Sequence, residues 1–249
     1  MKTLLGIFSL FSSTVFCQVK FIPTYSNQQW IQYYNTFQLN EKYAILSDIG
    51  YRCNNSITNA KVALIRSGVY YSFSPATRIG VGYTNFDYFT DHKETKNENR
   101  FYAEYSYKNK FKAIKYDNRF RIEDRFFNTK TTNYSQIRFR YLLSLSKDIW
   151  KAKESDRKIS IFQTNELFYT FDNKSKTNSL DQVRCILGTS FQANKNLSFQ
   201  LSYNLQFNKK TNLLKTYEFT NVFWLTIRQT LGFISRYHFT HKKHSRTKI

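Results

Sequence analysis

The most constraining feature of this sequence is a strict alternation of apolar and polar residues over residues 197–207, LSFQLSYNLQF. Every odd position holds leucine, phenylalanine or tyrosine, and every even position holds serine, glutamine or asparagine. Because successive side chains of a β-strand point to opposite faces, the pattern predicts one strand with an apolar face and a polar face. Similar alternation recurs along the chain and predicts about twelve strands. No segment predicts a convincing helix.

Short and longer connections alternate along the chain between the predicted strands. This alternation is typical of an up-and-down meander. The short set is NEK, SPAT, KNK and ANKN, and the longer set includes CNNSITNA, FTDHKETKNEN and FNTKTTN. If all short turns share one rim, the strand around Trp30 needs an earlier partner, which residues 19–25 could supply. No linker divides the chain, so residues 18–249 are predicted to form one domain that ends in a basic tail.

The first 17 residues follow the order of a secretory signal peptide. Lys2 supplies the positive charge and residues 4–11 are apolar. Val15 and Cys17 then stand at the −3 and −1 positions of a cleavage site before Gln18. A lipid-modified Cys17 is the alternative to simple cleavage. The sequence therefore predicts a signal peptide over residues 1–17 and an exported mature chain.

The polar faces of the predicted strands are rich in arginine with interspersed glutamate, whereas lysine dominates the connections. The strand residues of this kind are Arg100, Glu104, Arg119, Arg121, Glu123, Arg125, Arg138, Arg140, Glu166 and Arg184. The planar guanidinium suits enclosed pairing with carboxylates better than the lysine ammonium does. We interpret these ten residues as lining the lumen of a barrel, with the apolar faces turned outward. A wet sheet face would more often mix lysine into the strands.

The lengths of the predicted strands favour a membrane barrel. A strand needs roughly 9–11 tilted residues to cross a bilayer, and residues 30–40, 136–147 and 197–207 meet this requirement. Aromatic residues near strand ends are candidates for the girdles at the membrane interfaces: Trp30, Tyr43, Tyr51, Tyr71, Phe73, Tyr88 and Tyr107. The predicted fold is all-β, a single up-and-down antiparallel transmembrane β-barrel of about 12 strands, with about 10–14 allowed.

The net charge of +21 is typical of a protein with an anionic partner. Basic residues beside many aromatics would also suit nucleic acid. The export signal and the regular apolar faces argue against that partner. We expect a location in the cell outer membrane, where lysine-rich connections meet outer-membrane lipid and lipopolysaccharide, with no nucleic acid and no protein partner.

The sequence predicts no enzyme. Four histidines are present: His92, His238, His241 and His244. None is spaced with a serine and an acid as a hydrolase would require. The strand glutamates stand among arginines, which suits ion pairing better than general acid catalysis. The two cysteines left after cleavage, Cys53 and Cys185, lack metal-ligand spacing, so we expect no catalytic residue, no cofactor and no metal.

At its arginine-rich strands the chain resembles the DUF2490 family, uncharacterised outer-membrane β-barrel proteins of Bacteroidetes-type bacteria. The matching segments are NRFRIEDRF, RFRYLLSL, NELF, DQVRCILG and LSYNLQF, together with the early Trp30. Their order is more specific than any one of them. The resemblance implies a barrel and an envelope location, and it implies no activity. The tail that begins at Gly232 extends past the expected final strand.

Three functions follow as expectations. The first is a non-enzymatic outer-membrane barrel, either structural or a narrow conduit that favours anions. The alternatives are an outer-membrane lipid-modifying enzyme and a soluble exported β-barrel that binds an apolar ligand. The direction in which the side chains of Phe199, Leu201 and Tyr203 point separates the membrane barrels from the soluble one.

Overall fold

The computed structural model of this chain describes residues 23–54, 56, 58–172, 178–209 and 217–232. These residues form strands and connections and contain no helix. The strands are β1 Pro23–Gln38, β2 Tyr43–Asn54, β3 Ala60–Ser72, β4 Thr77–Thr90, β5 Lys93–Phe111, β6 Ile114–Thr129, β7 Asn133–Lys151, β8 Lys158–Asp172, β9 Asn178–Gln192, β10 Leu197–Lys209 and β11 Tyr217–Gly232. A helix that could cross a bilayer is accordingly absent from this part of the chain. The predicted signal peptide and the tail after Gly232 lie outside the described residues.

The strands form one closed barrel in which every strand pairs with its sequence neighbours. All consecutive pairs are antiparallel, and β1 and β11 close the circle as a parallel pair, from Pro23 opposite Tyr217 to Gln38 opposite Gly232. The parallel seam follows from the odd number of strands, because the first and last strands of such a meander run the same way. The all-β barrel fold is confirmed, and eleven strands lie within the predicted range. The seam also removes the need for an earlier partner of the strand around Trp30.

The side chains alternate between the inside and the outside of the barrel. In β10 the even residues Ser202, Asn204 and Gln206 are buried, whereas Phe199 and Leu201 are 38% and 60% exposed. The polar positions of the alternation therefore face the enclosed interior, and the apolar positions face outward. This is the inverse of a soluble barrel, whose apolar faces form the core.

Two connections that the sequence predicts to be long are tight turns. β4 runs to Thr90 and β5 begins at Lys93, so only Asp91 and His92 connect them, with φ angles of 49° and 61°. Two successive residues with positive φ are typical of a type I′ hairpin. The connection between β6 and β7 is also short, residues 130–132. The prediction of long connections was wrong in FTDHKETKNEN and FNTKTTN, because these polar segments show no alternation of apolar and polar residues. Most of their residues nevertheless belong to the strands.

Glycines on the inner faces of β3 and β4 leave room for tyrosine rings. A Cβ atom added to Gly80 would overlap the ring of Tyr70, and one added to Gly82 would overlap the hydroxyl group of Tyr102. The two tyrosine hydroxyl groups lie 3.3 Å apart. The segment GVG, residues 80–82, is therefore a strand position that receives bulky neighbours.

Candidate functional site

The interior of the barrel is organised around Glu123, a carboxylate on β6 that is 2% exposed. Its Oε2 accepts a hydrogen bond from Arg138 Nη2 at 2.7 Å, and its Oε1 accepts one from Arg140 Nη1 at 2.5 Å. Guanidinium nitrogens of Arg100 and Arg121 lie 3.7 Å and 3.6 Å from the same carboxylate. Arginines from β5, β6 and β7 therefore converge on one buried negative charge.

Glu166 on β8 extends this group of ion pairs. Its Oε1 accepts hydrogen bonds from Arg119 Nη2 and Arg140 Nη2, each at 2.6 Å. Arg184 Nη1 lies 3.4 Å from its Oε2. Because Arg140 also binds Glu123, the two carboxylates belong to one network.

Glu104 on β5 joins the network from the other side. Arg121 donates hydrogen bonds to its Oε2 from both Nε and Nη2. Arg119 Nε lies 3.8 Å from Glu104 Oε2, and Arg78 Nη2 lies 4.0 Å from Glu104 Oε1. Arg119 and Arg121 thus connect Glu104 to the carboxylates of β6 and β8.

Glu98 on β5 completes the network at the end where β5 begins. It has no exposed surface. Its Oε1 accepts hydrogen bonds from Arg100 Nε at 2.5 Å and Arg125 Nε at 2.6 Å, and its Oε2 accepts one from Tyr88 Oη at 2.7 Å. Glu98 was not selected from the sequence, because it lies in FTDHKETKNEN, a polar segment that predicts a connection.

The structure brings all ten residues selected from the sequence into this one network, hereafter the arginine–glutamate network. Further charged residues that were not selected from the sequence also face the interior, among them Asp48, Arg52, Arg66, Arg78, Glu98 and Arg228. Asp48, Arg66 and Arg78 each stand next to an exposed isoleucine, which is Ile49, Ile65 and Ile79 respectively. Continuing the alternation into β2, β3 and β4 would have found these three.

Aromatic rings fill the spaces between the guanidinium groups. The ring of Phe168, 1% exposed, has the Cζ atoms of Arg138, Arg140 and Arg184 within 5.1 Å, 4.7 Å and 4.6 Å of its centroid. Such cation–π contacts are worth about 2 kcal/mol or more when they are desolvated. The rings therefore stabilise arginines that share too few carboxylates.

Two residues predicted for the interfacial girdles face the interior instead. Trp30 is 3% exposed and donates a hydrogen bond from Nε1 to Gln28 Oε1 at 2.9 Å. Tyr88 binds Glu98. The girdle prediction was wrong for Trp30 and Tyr88 because both rings carry a polar atom that finds a partner among the enclosed polar groups. Tyr43 and Phe73, in contrast, are 44% and 60% exposed.

Side chains close the lumen at the level of the network. Residues that face the interior from five strands have at most 2% of their surface exposed: Glu98, Glu123, Phe168, Asn204 and Thr220. A water-filled channel would leave such side chains accessible to water along its length. The interior is therefore packed at this level.

The outer wall carries an apolar groove with a volume of about 1010 Å³. Its floor is a row of small or medium side chains, Val69, Val81, Ala103 and Ile122, which are successive partners across β3, β4, β5 and β6. Larger residues of the groove include Tyr71, Tyr105, Phe120 and Tyr141. The groove can contact apolar chains.

The described residues contain no group of three or more histidine, cysteine, aspartate or glutamate side chains that could hold a metal. His92 lies in the turn between β4 and β5. The other three histidines lie outside the part of the chain that the structure describes. Cys53 and Cys185 are both free thiols.

Fold and interior together define a closed antiparallel β-barrel with a parallel seam, an apolar outer wall and a packed, charged interior. The model of the family DUF2490, described as "Protein of unknown function", matches residues 27–217. The chain belongs to this family. No curated protein and no solved structure matches it.

Proposed function

We propose that this protein is a non-enzymatic barrel of the outer membrane, with a structural role and a lumen closed by its arginine–glutamate network. The observation that carries the proposal is the inversion of the barrel. Val81, Leu201 and Phe223 on the outer wall are 62%, 60% and 60% exposed. Exposed apolar surface that is continuous around a protein marks contact with a membrane or a partner.

The closed sheet supports the same proposal. Backbone groups in hydrocarbon have no water to bind, so a spanning sheet must have no free edge. The parallel pairing of β1 and β11 satisfies both edge strands along Pro23–Gln38 and Tyr217–Gly232. A soluble barrel gains less from closure, because water can satisfy an exposed edge.

The charged rim supports the proposed lipid contacts. The connections after β1, β3, β5, β7 and β9 share one rim. Basic residues there include Lys42, Lys108, Lys110, Lys112, Lys115, Lys147, Lys151, Lys153, Arg157, Lys158 and Lys195. Acidic residues of the same rim are fewer: Glu41, Asp117, Asp148, Glu154 and Asp156. Since basic side chains are attracted to anionic headgroups, we expect this rim to meet the phosphates of outer-membrane lipid and lipopolysaccharide.

Fractionation and gel migration test the location. The protein should be recovered with the outer membrane, and unheated samples should migrate differently from heated ones in a detergent gel because the closed barrel stays folded. Recovery in the soluble envelope fraction with a single gel position would contradict the proposal.

Planar-bilayer recordings test whether the lumen is closed. We expect no steady conductance, because buried side chains fill the interior. A steady conductance that prefers anions, and that loses this preference in the double variant Arg121→Ala with Arg138→Ala, would replace the structural role with the narrow conduit.

A further inference from the structure

The interior of the barrel contains more positive than negative charge. The inward-facing arginines that are buried or half-buried are Arg52, Arg66, Arg78, Arg100, Arg119, Arg121, Arg125, Arg138, Arg140 and Arg184. The carboxylates paired with them are Asp48, Glu98, Glu104, Glu123 and Glu166. Enclosing a cation without a counter-charge costs several kcal/mol even after relaxation. Asp148 and Asp181 are enclosed as well, but Asp148 pairs with Lys115 and Asp181 accepts a hydrogen bond from Thr170. Among the described residues, the enclosed arginines therefore still outnumber the carboxylates.

Arg52 on β2 is an interior arginine that lacks a counter-charge among the described residues. No ion pair or hydrogen bond within the described part of the chain includes this guanidinium. Its Cζ lies 3.9 Å from the ring centroid of Trp30 and 5.7 Å from that of Phe86. Arg52 is half-buried, and its cation–π contacts contribute up to about 2 kcal/mol each. They do not replace the counter-charge that an enclosed cation needs.

Two further buried polar side chains, on β10 and β11, lack partners among the described residues. Asn204 on β10 is 0% exposed, and neither Nδ2 nor Oδ1 has a hydrogen-bond partner among the described residues. The buried Nε1 of Trp224 on β11 is also without a partner there. The rings of Trp224 and Trp30 meet edge to face with centroids 5.1 Å apart. Each unsatisfied buried group costs about 1–3 kcal/mol.

Arg184 on β9 lies on the same side of the interior. Its Cζ is 5.4 Å from the ring centroid of Trp30. Since Arg52 approaches the same ring to 3.9 Å, the two Cζ atoms are at most 9.3 Å apart, the sum of these distances. Arg184 is opposite Gln206 on β10, so it is a diagonal neighbour of Asn204. Arg52, Arg184 and Trp224 therefore lie around the ring of Trp30, and Asn204 is a diagonal neighbour of Arg184. Among the described residues, no carboxylate lies within 4 Å of Arg52.

We infer that this location binds a small anion, either a halide or the carboxylate or phosphate group of a small solute. Arg52 and Arg184 supply the charge, and Asn204 Nδ2 and Trp224 Nε1 supply directed donors. Water could satisfy the two neutral groups, but it would not balance the charge of Arg52. The inference concerns the barrel interior alone and does not depend on the membrane location.

The tryptophans report on this location. The chain contains three tryptophans, so the variant Trp150→Phe leaves only Trp30 and Trp224. Trp150 is 48% exposed on the rim, away from the proposed location. The folded variant is equilibrated with potassium iodide at constant ionic strength, and its fluorescence is recorded. A bound iodide quenches the nearby rings, so we expect quenching that saturates and that chloride or inorganic phosphate reverses. Reversal by chloride alone would identify a halide site. Quenching that rises linearly, or that neither anion reverses, would overturn the inference.

A matched pair of variants locates the anion. Arg52→Gln and Arg78→Gln each remove one interior guanidinium, but Arg78 lies toward the opposite rim, with its Nε bound to Ser106. In the Trp150→Phe background, Arg52→Gln should weaken the apparent iodide affinity roughly tenfold or more, because charge-assisted hydrogen bonds contribute about 1.5–3 kcal/mol. Arg78→Gln should leave it nearly unchanged. Equal effects of the two variants would show a diffuse charge effect and overturn the site.

Two measurements keep the test decisive if Arg52→Gln folds poorly. Asn204→Leu replaces the unpartnered amide with a side chain of similar size, and it should lower the iodide affinity while heat-modifiable migration shows a folded barrel. Crystals grown with bromide should show an anomalous scattering peak between Arg52 and Asn204. A folded Asn204→Leu variant with unchanged affinity, together with crystals that lack the peak, would reject the site.

Discussion

Asn221 Nδ2 donates a hydrogen bond of 3.1 Å to Asn27 Oδ1, although the two residues are 194 positions apart in the chain. They are direct partners in the parallel seam between β1 and β11. The contact links the two ends of the meander, and it exists only if the barrel closes in this register. The seam can therefore be tested through these two residues.

Cysteines at the seam should form a disulfide. In a background with Cys53→Ser and Cys185→Ser, the pair Asn27→Cys and Asn221→Cys should cross-link under mild oxidation, because neighbouring strands bring directly paired residues within disulfide range. Gel migration before and after reduction measures it. The control pair Asn27→Cys and Leu231→Cys stands at opposite ends of the same strands and should not cross-link. Cross-linking of the control, or of neither pair, would contradict the parallel register.

The arginine–glutamate network makes Glu123 a critical residue for stability. Glu123→Gln leaves four arginines around a neutral amide, so we expect a loss of about 3–5 kcal/mol in the free energy of unfolding. Urea unfolding in lipid vesicles measures this. Asp156, in the connection between β7 and β8, is exposed, and Asp156→Asn should change stability by less than about 0.5 kcal/mol. Similar losses in both variants would show that the network is not the source of the effect.

Gly80 has no room for a side chain. Gly80→Ala places a methyl group against the ring of Tyr70, and overpacking of this kind costs about 1–3 kcal/mol. The matched substitution is Gly232→Ala, because a Cβ at Gly232 meets nothing within 4 Å. Unfolding midpoints of the two variants should therefore differ clearly. If they coincide, the tyrosine does not occupy the space that the glycine provides.

A charged residue on the outer wall should destabilise the membrane-inserted barrel only slightly at the rim, and much more in the middle of a strand. Leu201→Arg places a guanidinium in the middle of β10 and should destabilise the membrane-inserted barrel by about 2–4 kcal/mol. Phe111→Arg, at the end of β5, should cost only about 0–1 kcal/mol. Refolding yields into vesicles compare the two. A barrel in water would accept both, so equal yields would contradict insertion.

The local part of this fold was readable from the sequence. Alternation in residues 197–207 predicted which side chains of β10 face outward, because strand geometry fixes the period at two residues. Arg121, Glu123 and Arg138 were selected by their residue type at such positions. Trp30 and Tyr88 were misassigned, because an aromatic ring with a polar atom suits a membrane interface and a polar interior equally well.

The non-local part was not readable. The pairing of β1 with β11 depends on the total number of strands, and two tight turns were hidden in polar segments, which also concealed Glu98. The partners of each arginine depend on registers between separate strands, as for Arg140 between Glu123 and Glu166. Alternation within one strand carries no information about such registers.

The most direct test of an apolar outer wall in lipid is a spin-label scan of residues 197–207 in a protein without reactive cysteines, reconstituted in vesicles. Each position is changed to cysteine, labelled, and measured for collisions with oxygen, which dissolves in lipid, and with a water-soluble nickel complex. We expect strong oxygen collisions and weak nickel collisions at the odd positions Phe199, Leu201 and Tyr203, with weak collisions of both kinds at Ser202 and Asn204. Strong nickel collisions at Ser202 and Asn204, with both probes excluded from Leu201, would show that the apolar face is the core of a soluble barrel and would contradict insertion in the membrane.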